Sequence, residues 1–553
     1  MLSHSNSWSN ILPCQCGIKY LQLKYPTGSG VKNLKMAIHF EAYLETIRKN
    51  WLRIILTILG VTLALFCLSY LALYLLQDGD IHLKQRVFLD DVYFDMWKHL
   101  IHLDVTADKK AIGPEAFIVN GKIIAYFLPF PALVRGILSI FHLGAYPVLS
   151  MLLGFLVFVI YSEKIFLLTL KIVFPESKIN PFIKYGWLIF IAFGSPFLSV
   201  MENSSTYWEA IIWGAAMYMV CLYLSTAILS MPRNISLLAV FSLVCGLTLF
   251  TRPTFTVGAA LIFGLTIVML FVNLLKPNGS NIITRHPIYR LNELIGAAVI
   301  FVVFGVLLGA LNFARWGNPF EFQPLNKNVQ YMGNSRATNF DKYGSMRLDR
   351  IPQNTAYYFF PSKDNFSSES PFIQAGHTDY FVGLAKNFDY LEPTLPIPLI
   401  LPVYFLLTIF GLVVFIWNMV PSFRKNNHST FPPAMLPAAI SAFVPGLLLL
   451  PYTAEVMRYA GDFTPGIMFF SIYAIVIILG HLYPASLRKQ KEERSTVILN
   501  VVVIGMLLFI SLYMTTAGLL IQRQYFSKPW PTSSQSNIAS SFPALFSQFT
   551  HLP

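Results

Sequence analysis

The sequence predicts an all-α protein that crosses a membrane many times, and its composition and charge distribution support this fold class. Hydrophobic residues make up 55% of the 553 residues, charged residues make up only 12%, and the mean hydropathy is +0.57. An ordinary soluble domain carries about 25% charged residues, so a soluble, disordered or collagen-like protein is excluded. The net charge of +13 does not indicate nucleic-acid binding, because the basic residues lie in short segments between apolar runs. The five Cys show neither metal-ligand spacing nor a disulfide framework.

Eleven apolar runs have roughly the 20-residue length that a membrane-spanning helix requires. In chain order they are 52–76, 144–162, 183–200, 207–230, 235–251, 254–275, 291–312, 395–420, 432–452, 463–484 and 496–520. The residues around the second run are also apolar, and Pro129, Pro131 and Pro147 can divide this region into a re-entrant piece followed by a span. The sequence therefore predicts about 11 transmembrane helices.

Lys and Arg in the short loops predict the orientation, because cytoplasmic loops are enriched in both. Basic clusters precede span one, separate spans six and seven, and follow spans eight and ten. Their members are Arg48, Lys49, Arg53, Lys276, Arg285, Arg290, Arg424, Lys425, Arg488, Lys489, Lys491 and Arg494. All four clusters fall on one side, which places residues 1–50 in the cytoplasm and the tail 521–553 outside. Within the transmembrane domain 51–520, the loops 77–130 and 313–394 then share the outer face, and loops of this length are uncommon without a function.

The first outer loop contains a predicted amphipathic helix over residues 81–103, of the kind that lies at a membrane interface. Its apolar positions recur at helical spacing and are Leu89, Val92, Tyr93, Met96, Trp97, Leu100 and Leu103. Its polar face carries Asp91, Asp95, Lys98, His99 and His102. Asp90 and Asp91 are expected near the middle of this helix. A solvated face with an Asp95–Lys98 surface pair explains the same spacing without any function.

The segment 120–135 leads from this loop into the second span and carries the candidate residues Tyr126 and Arg135. Pro129 and Pro131 are expected to prevent a regular helix here. An aromatic belt at the membrane interface is the structural alternative for this segment.

Three more places on the predicted outer face carry candidate residues. Glu202 lies in the short loop before span four, with Glu209 close behind it, and Arg252 occupies a Thr-Arg-Pro-Thr turn. The segment before span ten contains Arg458, Tyr459 and Asp462. Arginines that snorkel from helix ends explain the same positions structurally.

The predicted helix interiors carry almost no charge. Spans eight to eleven contain no Asp, Glu, Lys or Arg, and Arg252 is the only charged residue between positions 235 and 275. Ion-coupled transporters usually place ionisable groups near the middle of the membrane. This pattern disfavours a pump or proton-coupled carrier, whereas a passive channel, a lipid flippase and a non-catalytic scaffold stay open.

The order of these parts resembles the GT-C superfamily of integral-membrane glycosyltransferases over about residues 50–485. Asp90-Asp91 is similar to the acidic residues that these enzymes place soon after the first span. The segment 121–135 resembles their Tyr/Phe-Pro-rich approach to the second span, 246–254 their Arg-Pro turn, and 458–465 a late Arg-Tyr-x-x-Asp motif. The Trp-Trp-Asp motif of oligosaccharyltransferases is not found in the sequence.

The resemblance implies transfer of a sugar from a polyprenyl-phosphate donor to an extracytoplasmic glycan, lipid or protein acceptor. It implies Asp90 or Asp91 as the base that deprotonates the acceptor hydroxyl. Asp90 is favoured because Phe94 and Trp97 flank it at helical spacing. The implied phosphate contacts are arginines, whose planar fork binds phosphate oxygens, and the implied substrate-binding residues are Arg252, Arg458, Glu202, Tyr126, Arg135, Tyr459 and Asp462.

No cofactor is strictly required by this chemistry, although a Mg²⁺ or Mn²⁺ ion is compatible with it. The resemblance further implies a multi-pass protein of a bacterial inner membrane, with its active site on the outer face and membrane lipid as a partner. A lipid-linked glycan flippase, or another membrane transporter, is the alternative function.

Overall fold

The computed structural model describes Leu89 and residues 91–174, 205–275, 289–330, 335–368, 372–377, 380, 388, 390–419 and 433–482. The helices in the first half of these residues are α1 Val92–Leu100, α2 Lys109–Ile112, α3 Phe130–Ser139, α4 Pro147–Val173, α5 Thr206–Ser230, α6 Ile235–Thr248, α7 Pro253–Leu275 and α8 Leu291–Trp316. Those in the second half are α9 Ser335–Tyr343, α10 Ile351–Phe359, α11 Ile397–Ile400, α12 Pro402–Met419, α13 Leu436–Ser441, α14 Val444–Leu447 and α15 Thr464–Leu482.

Six segments of the described chain are long and apolar enough to cross a membrane. They are α4, α5, α7, α8, α12 and Met457–Gly480, which contains most of α15. Together with the composition, these helices identify a multi-pass membrane protein. The predicted spans 52–76, 183–200 and 496–520 lie outside the described residues, so the expected number of about eleven stays a prediction.

The predicted and observed helix boundaries agree best where the apolar run is uninterrupted. The predicted spans 207–230 and 254–275 each begin one residue after the observed α5 and α7. The predicted span 432–452 is interrupted, because this region forms a 3₁₀ turn and the short helices α13 and α14, and its apolar helical stretch Pro433–Leu447 is shorter than the six spans. Pro437 and Pro445 each lie in a first helical turn there, where the missing N–H is tolerated but the preceding helix is interrupted.

The region that leads into and includes the predicted second span forms two helices, α3 and α4. The expectation that Pro129 and Pro131 prevent a regular helix is wrong, because α3 begins at Phe130 and has Pro131 in its first turn. Pro147 likewise opens α4, which is 27 residues long. Proline is tolerated at these positions because the first N–H groups of a helix have no partner within the helix. With ten residues, α3 is too short to cross a membrane by itself.

The interfacial helix differs from its prediction in both position and exposure. It begins at Val92, so Asp91 lies just before the helix and not near its middle. Asp95 is only 5% exposed, and its Oδ2 accepts a hydrogen bond of 2.9 Å from the Asp108 N–H. The Lys98 ammonium lies 4.5 Å from the centroid of the Phe94 ring. The predicted Asp95–Lys98 surface pair is therefore replaced by a contact with the chain that follows the helix.

Burial identifies α5 as the central helix of the described bundle. In the most apolar stretch of α5, 94% of the residues are buried, compared with 17% in α8. The apolar side chains of α8 that are exposed include Val302, Val306 and Phe313, as expected for a helix that faces lipid. Neighbouring segments therefore enclose α5 along most of its length.

Short strands hold the non-helical segments at one end of the bundle. The antiparallel hairpin of β1 (Phe117–Val119) and β2 (Lys122–Ile124) precedes α3. The parallel pair of β3 (Tyr390–Leu391) and β4 (Ala454–Glu455) joins the end of the long polar loop to the segment before α15. Within the described part of this loop, α9 and α10 are short helices.

Candidate active site

Four chain segments converge at the N-terminal end of α5. The Thr206 hydroxyl at the start of α5 donates a hydrogen bond to the Leu89 carbonyl, two residues before Asp91. The Phe130 N–H donates to the Phe250 carbonyl at 2.9 Å, which joins the start of α3 to the turn before α7. The fourth segment is the 3₁₀ turn Met457–Phe463, which leads into α15 and packs against α5. Segments that are far apart in the sequence therefore meet at one end of the helices.

Arg252 and Asp462 form an ion pair within this cluster. Arg252 Nε lies 3.2 Å from Asp462 Oδ2, and the Thr254 hydroxyl donates to the same oxygen at 3.1 Å. Asp462 is fully buried, whereas the Arg252 side chain is 13% exposed. The other carboxylate oxygen, Oδ1, has no hydrogen-bond partner within the described chain. Asp462 thus orients the Arg252 guanidinium through its Nε.

Arg458 lies between aromatic rings. Its guanidinium carbon is 4.1 Å from the centroid of the Tyr207 ring and 5.5 Å from that of Tyr459. Tyr459 also lies 4.8 Å from the guanidinium carbon of Arg252, so one ring separates the two arginines. Such cation–π contacts stabilise a guanidinium and fix its plane. The structure therefore brings together the arginines, Tyr459 and Asp462 that the sequence predicted as site residues.

An acidic residue that sequence analysis did not single out lies beside Arg458. Glu392 accepts a hydrogen bond of 2.9 Å from the Met457 N–H, and burial raises its pKa, opposed by the charge of Arg458. Glu392 follows β3, and the pairing of β3 with β4 brings it to this place. These contacts join segments that are far apart in the sequence, so the local sequence carries no signal for Glu392.

Tyr126 lies on the aromatic side of the cluster. Its ring stacks on Phe127 with centroids 4.2 Å apart, and Phe127 meets the edge of Tyr207 at 5.6 Å. Burial raises the pKa of the Tyr126 hydroxyl well above its usual value, opposed by the charge of Arg458. Tyr126, Tyr207 and Tyr459 thus form an aromatic wall beside the two arginines.

Arg135 has internal partners. Its Nε and Nη2 donate to the two carboxylate oxygens of Glu209 at 2.9 and 2.8 Å, and Nη1 donates to the Gly144 carbonyl at 2.9 Å. Both side chains are fully buried. This bidentate pair joins α3 to α5, and the fork that the resemblance assigned to substrate contacts Glu209 instead.

Of the three acidic candidates for activating the acceptor, the structure describes only Asp91. Asp90 and Glu202 lie outside the described residues. Asp91 is half-buried and stands at the N-terminal end of α1, close to the contact between Leu89 and Thr206. Because Asp91 precedes the helix, the helical spacing that favoured Asp90 over Asp91 no longer distinguishes them.

A second cluster, formed by Asp95, His99 and Asp108, could hold a metal ion. One donor atom from each lies within 4.8 Å of the others. His99 Nδ1 lies 3.0 Å from Asp104 Oδ2, which orients Nε2 towards Asp95 and Asp108. Partial burial lowers the pKa of His99, but the hydrogen bond with Asp104 and the nearby carboxylates outweigh it and raise the pKa. This cluster is not evident from the sequence, because the helical spacing places Asp95 on a solvated face.

No protein-family model matches the chain, and a search of curated proteins finds no match. Among solved structures, the apo crystal structure of the Archaeoglobus fulgidus oligosaccharyltransferase is similar with a TM-score of 0.47 and 13% identity, covering 83% of this chain and 56% of that chain. The same organism's oligosaccharyltransferase in complex with an inhibitory peptide and a dolichol-phosphate gives a TM-score of 0.42 and 14% identity, covering 83% and 55%. The chain thus spans about half the length of these structures. A likeness this distant assigns neither a family nor an activity.

Proposed function

We propose that the protein is an integral-membrane glycosyltransferase, which transfers a sugar from a polyprenyl-phosphate donor to an extracytoplasmic acceptor. The observation that carries this proposal is the pair of arginines, Arg252 and Arg458, held beside tyrosine rings where apolar helices end. This combination suits a ligand with a phosphate, a sugar and a lipid chain. The order of sequence motifs that resembles the GT-C superfamily supports the same activity.

The donor phosphate contacts Arg252 and Arg458 in this proposal. A guanidinium binds phosphate oxygens through charge-assisted hydrogen bonds, often two at a time. Asp462 holds Arg252 by its Nε, and the Tyr207 ring holds Arg458 by its face. Both contacts order the guanidinium before a ligand binds, which lowers the entropic cost of binding.

The acceptor is activated by Asp90 or Asp91, with Glu202 as a further acidic contact. The carboxylate takes the proton of the acceptor hydroxyl, whose oxygen then forms a bond with the anomeric carbon of the sugar. The bond from that carbon to the phosphate oxygen breaks, and polyprenyl phosphate leaves with the electron pair. Arg252 and Arg458 stabilise the charge that develops on this phosphate.

A divalent cation fits the cluster of Asp95, His99 and Asp108. Carboxylates suit both Mg²⁺ and Mn²⁺, and the imidazole favours Mn²⁺. Such an ion would supply positive charge beside α1, whose N-terminal end carries Asp91.

The cation is tested by titrating purified protein with Mn²⁺ and following the free ion by electron paramagnetic resonance. We expect H99Q to lose one bound Mn²⁺ and H102Q, which alters the exposed His102, to retain it. Equal Mn²⁺ binding by H99Q and the unchanged protein would remove these ligands from the proposal.

The phosphate contact is tested by measuring polyprenyl-phosphate binding in nanodiscs by native mass spectrometry. A charge-assisted hydrogen bond is worth roughly 1.5–3 kcal/mol, so R252A and R458A should each weaken binding about tenfold or more. Lysine should restore only part of the affinity, because a point charge lacks the fork. R233Q is the matched control, because Arg233 pairs with Glu293 at the partly exposed start of α6.

Wild-type affinity in both alanine variants would contradict the phosphate contact. Arg252 and Arg458 would then serve only to anchor helix ends. Movement of the intact donor across vesicle membranes, with no release of polyprenyl phosphate when acceptors are supplied, would favour the flippase instead.

A further inference from the structure

We propose that Arg315 and Tyr93 together bind one oxygen of a phosphate group, beside Arg252. Arg315 is 2% exposed and Tyr93 is fully buried. Arg315 Nε and the Tyr93 hydroxyl have no hydrogen-bond partner in the part of the chain that the structure describes. Buried polar groups are nearly always hydrogen-bonded, and both of these groups can donate. An acceptor oxygen between them complements both.

The charge of Arg315 indicates that this acceptor is an anion. Its Nη1 donates to the Phe127 carbonyl at 2.9 Å, and its Nη2 approaches Met96 Sδ at 3.8 Å, so both acceptors are uncharged. Among the described residues, no carboxylate acts on the Arg315 guanidinium, whereas Arg252 has Asp462. A buried cation without a counter-charge is strongly destabilising. A phosphate oxygen supplies the counter-charge and the acceptor at once.

The helix dipole compensates the charge of Arg315 only in part. Arg315 lies in the last turn of α8, where the helix carbonyls amount to about half a negative charge. This attraction acts on the guanidinium as a whole. It gives Nε no acceptor, and it does not involve the Tyr93 hydroxyl.

Tyr93 connects Arg315 to the candidate active site. The Tyr93 ring packs 5.8 Å from the ring of Phe127, whose carbonyl accepts the hydrogen bond from Arg315. Burial raises the pKa of Tyr93 well above its usual value, with smaller effects from the charges of Glu209, Arg252 and Arg315. Both oxygens of Glu209 already accept hydrogen bonds from Arg135. Of these charged residues, Arg252 is partly exposed. An anion therefore enters from the side of Arg252. The inference rests on the proposed function, because it extends the phosphate contact of Arg252 to two further residues.

The test measures affinity for two separate probes, polyprenyl phosphate in nanodiscs and inorganic phosphate in solution. The variants are Y93F, which keeps the ring packed 5.8 Å from Phe127 and removes only the hydroxyl, and R315Q. Matched controls are Y380F and R347Q, which make the same changes at an exposed tyrosine and in the partly exposed Arg347–Asp349 pair. We expect Y93F and R315Q each to weaken binding of polyprenyl phosphate about tenfold, with both controls unchanged. Y93F keeps the test informative if R315Q does not fold.

The outcomes separate the source of the phosphate and the two proposals. Weaker binding of polyprenyl phosphate in Y93F supports a lipid headgroup, and weaker binding of inorganic phosphate alone supports the same contact with free phosphate. Unchanged binding of both probes in Y93F and R315Q overturns the inference, and weakened binding in R252A would still uphold the proposed function. If R252A also binds both probes like the unchanged protein, the proposed phosphate contact fails as well.

Discussion

Three buried or partly buried arginines of the candidate site and its surroundings differ in how their charge is balanced. Arg135 is bidentate with Glu209, and Arg252 pairs with Asp462. Arg458 is stacked on tyrosine rings and lies close to Glu392. Breaking a buried ion pair by removing one partner costs about 3–5 kcal/mol. A loss of activity in an Arg135 variant would therefore report on folding before it reported on substrate binding.

The first prediction for single residues concerns which aspartate acts as the base. Asp→Asn keeps the size and most hydrogen bonding of the side chain but removes the basic carboxylate. We expect D90N or D91N, whichever alters the base, to lower turnover by about 10²–10⁴ with donor binding retained. The other variant should show a smaller loss, and D341N, which changes an exposed aspartate of α9, should show none.

Release of polyprenyl phosphate from a labelled donor measures this turnover in the presence of envelope acceptors. Near-normal turnover in D90N, D91N and the double variant would exclude this loop as the source of the base. Glu202 would then be the next residue to test.

Elements of the bundle pack closely where glycine faces a neighbouring backbone. A Cβ on Gly411 of α12 would overlap the carbonyl oxygen of Phe470 in α15. Gly305 of α8 faces open space, with nothing within 4 Å of the same added atom. The two glycines therefore allow a matched comparison between a tight helix interface and an open helix face.

We expect G411A to lower the stability of the protein by about 1–3 kcal/mol, because a backbone oxygen cannot move aside as a flexible side chain can. G305A should be neutral, or stabilising by up to about 1 kcal/mol, because alanine favours a helix over glycine. Thermal unfolding in one detergent measures both variants. A melting temperature for G411A at or above that of G305A would contradict the packing of α12 against α15.

For the whole molecule, the prediction is the orientation of the chain in the membrane. The basic clusters that predict this orientation lie almost entirely outside the described residues. The clusters place the loop around Ser367 outside and the segment around Gln490 in the cytoplasm. In a background without the five native cysteines, an impermeant thiol reagent should label S367C in intact cells and not Q490C.

Permeabilised cells provide the control, because both cysteines should then react. Labelling of both sites in intact cells, or of Q490C alone, would contradict the orientation. It would also remove the argument that the outer loops share a face with an extracytoplasmic acceptor.

The sequence by itself determined the membrane class, several helices and the motifs that meet at the site. Long apolar runs determine α5 and α7 almost to the residue, because hydrophobic length decides which segments can cross a bilayer. Arg252, Arg458, Tyr459 and Asp462 were recognisable because each lies in a short local motif beside a helix end.

The tertiary structure decided everything that depends on contacts between distant segments. It paired Arg252 with Asp462 and Arg135 with Glu209, and it buried Asp95 under the chain that follows α1. Local pattern cannot reveal such contacts, since the spacing of apolar residues reports which face is buried but not what lies against it. For the same reason Arg315 reads as an ordinary helix-end arginine in the sequence, and what sets it apart is its burial with no carboxylate partner among the described residues.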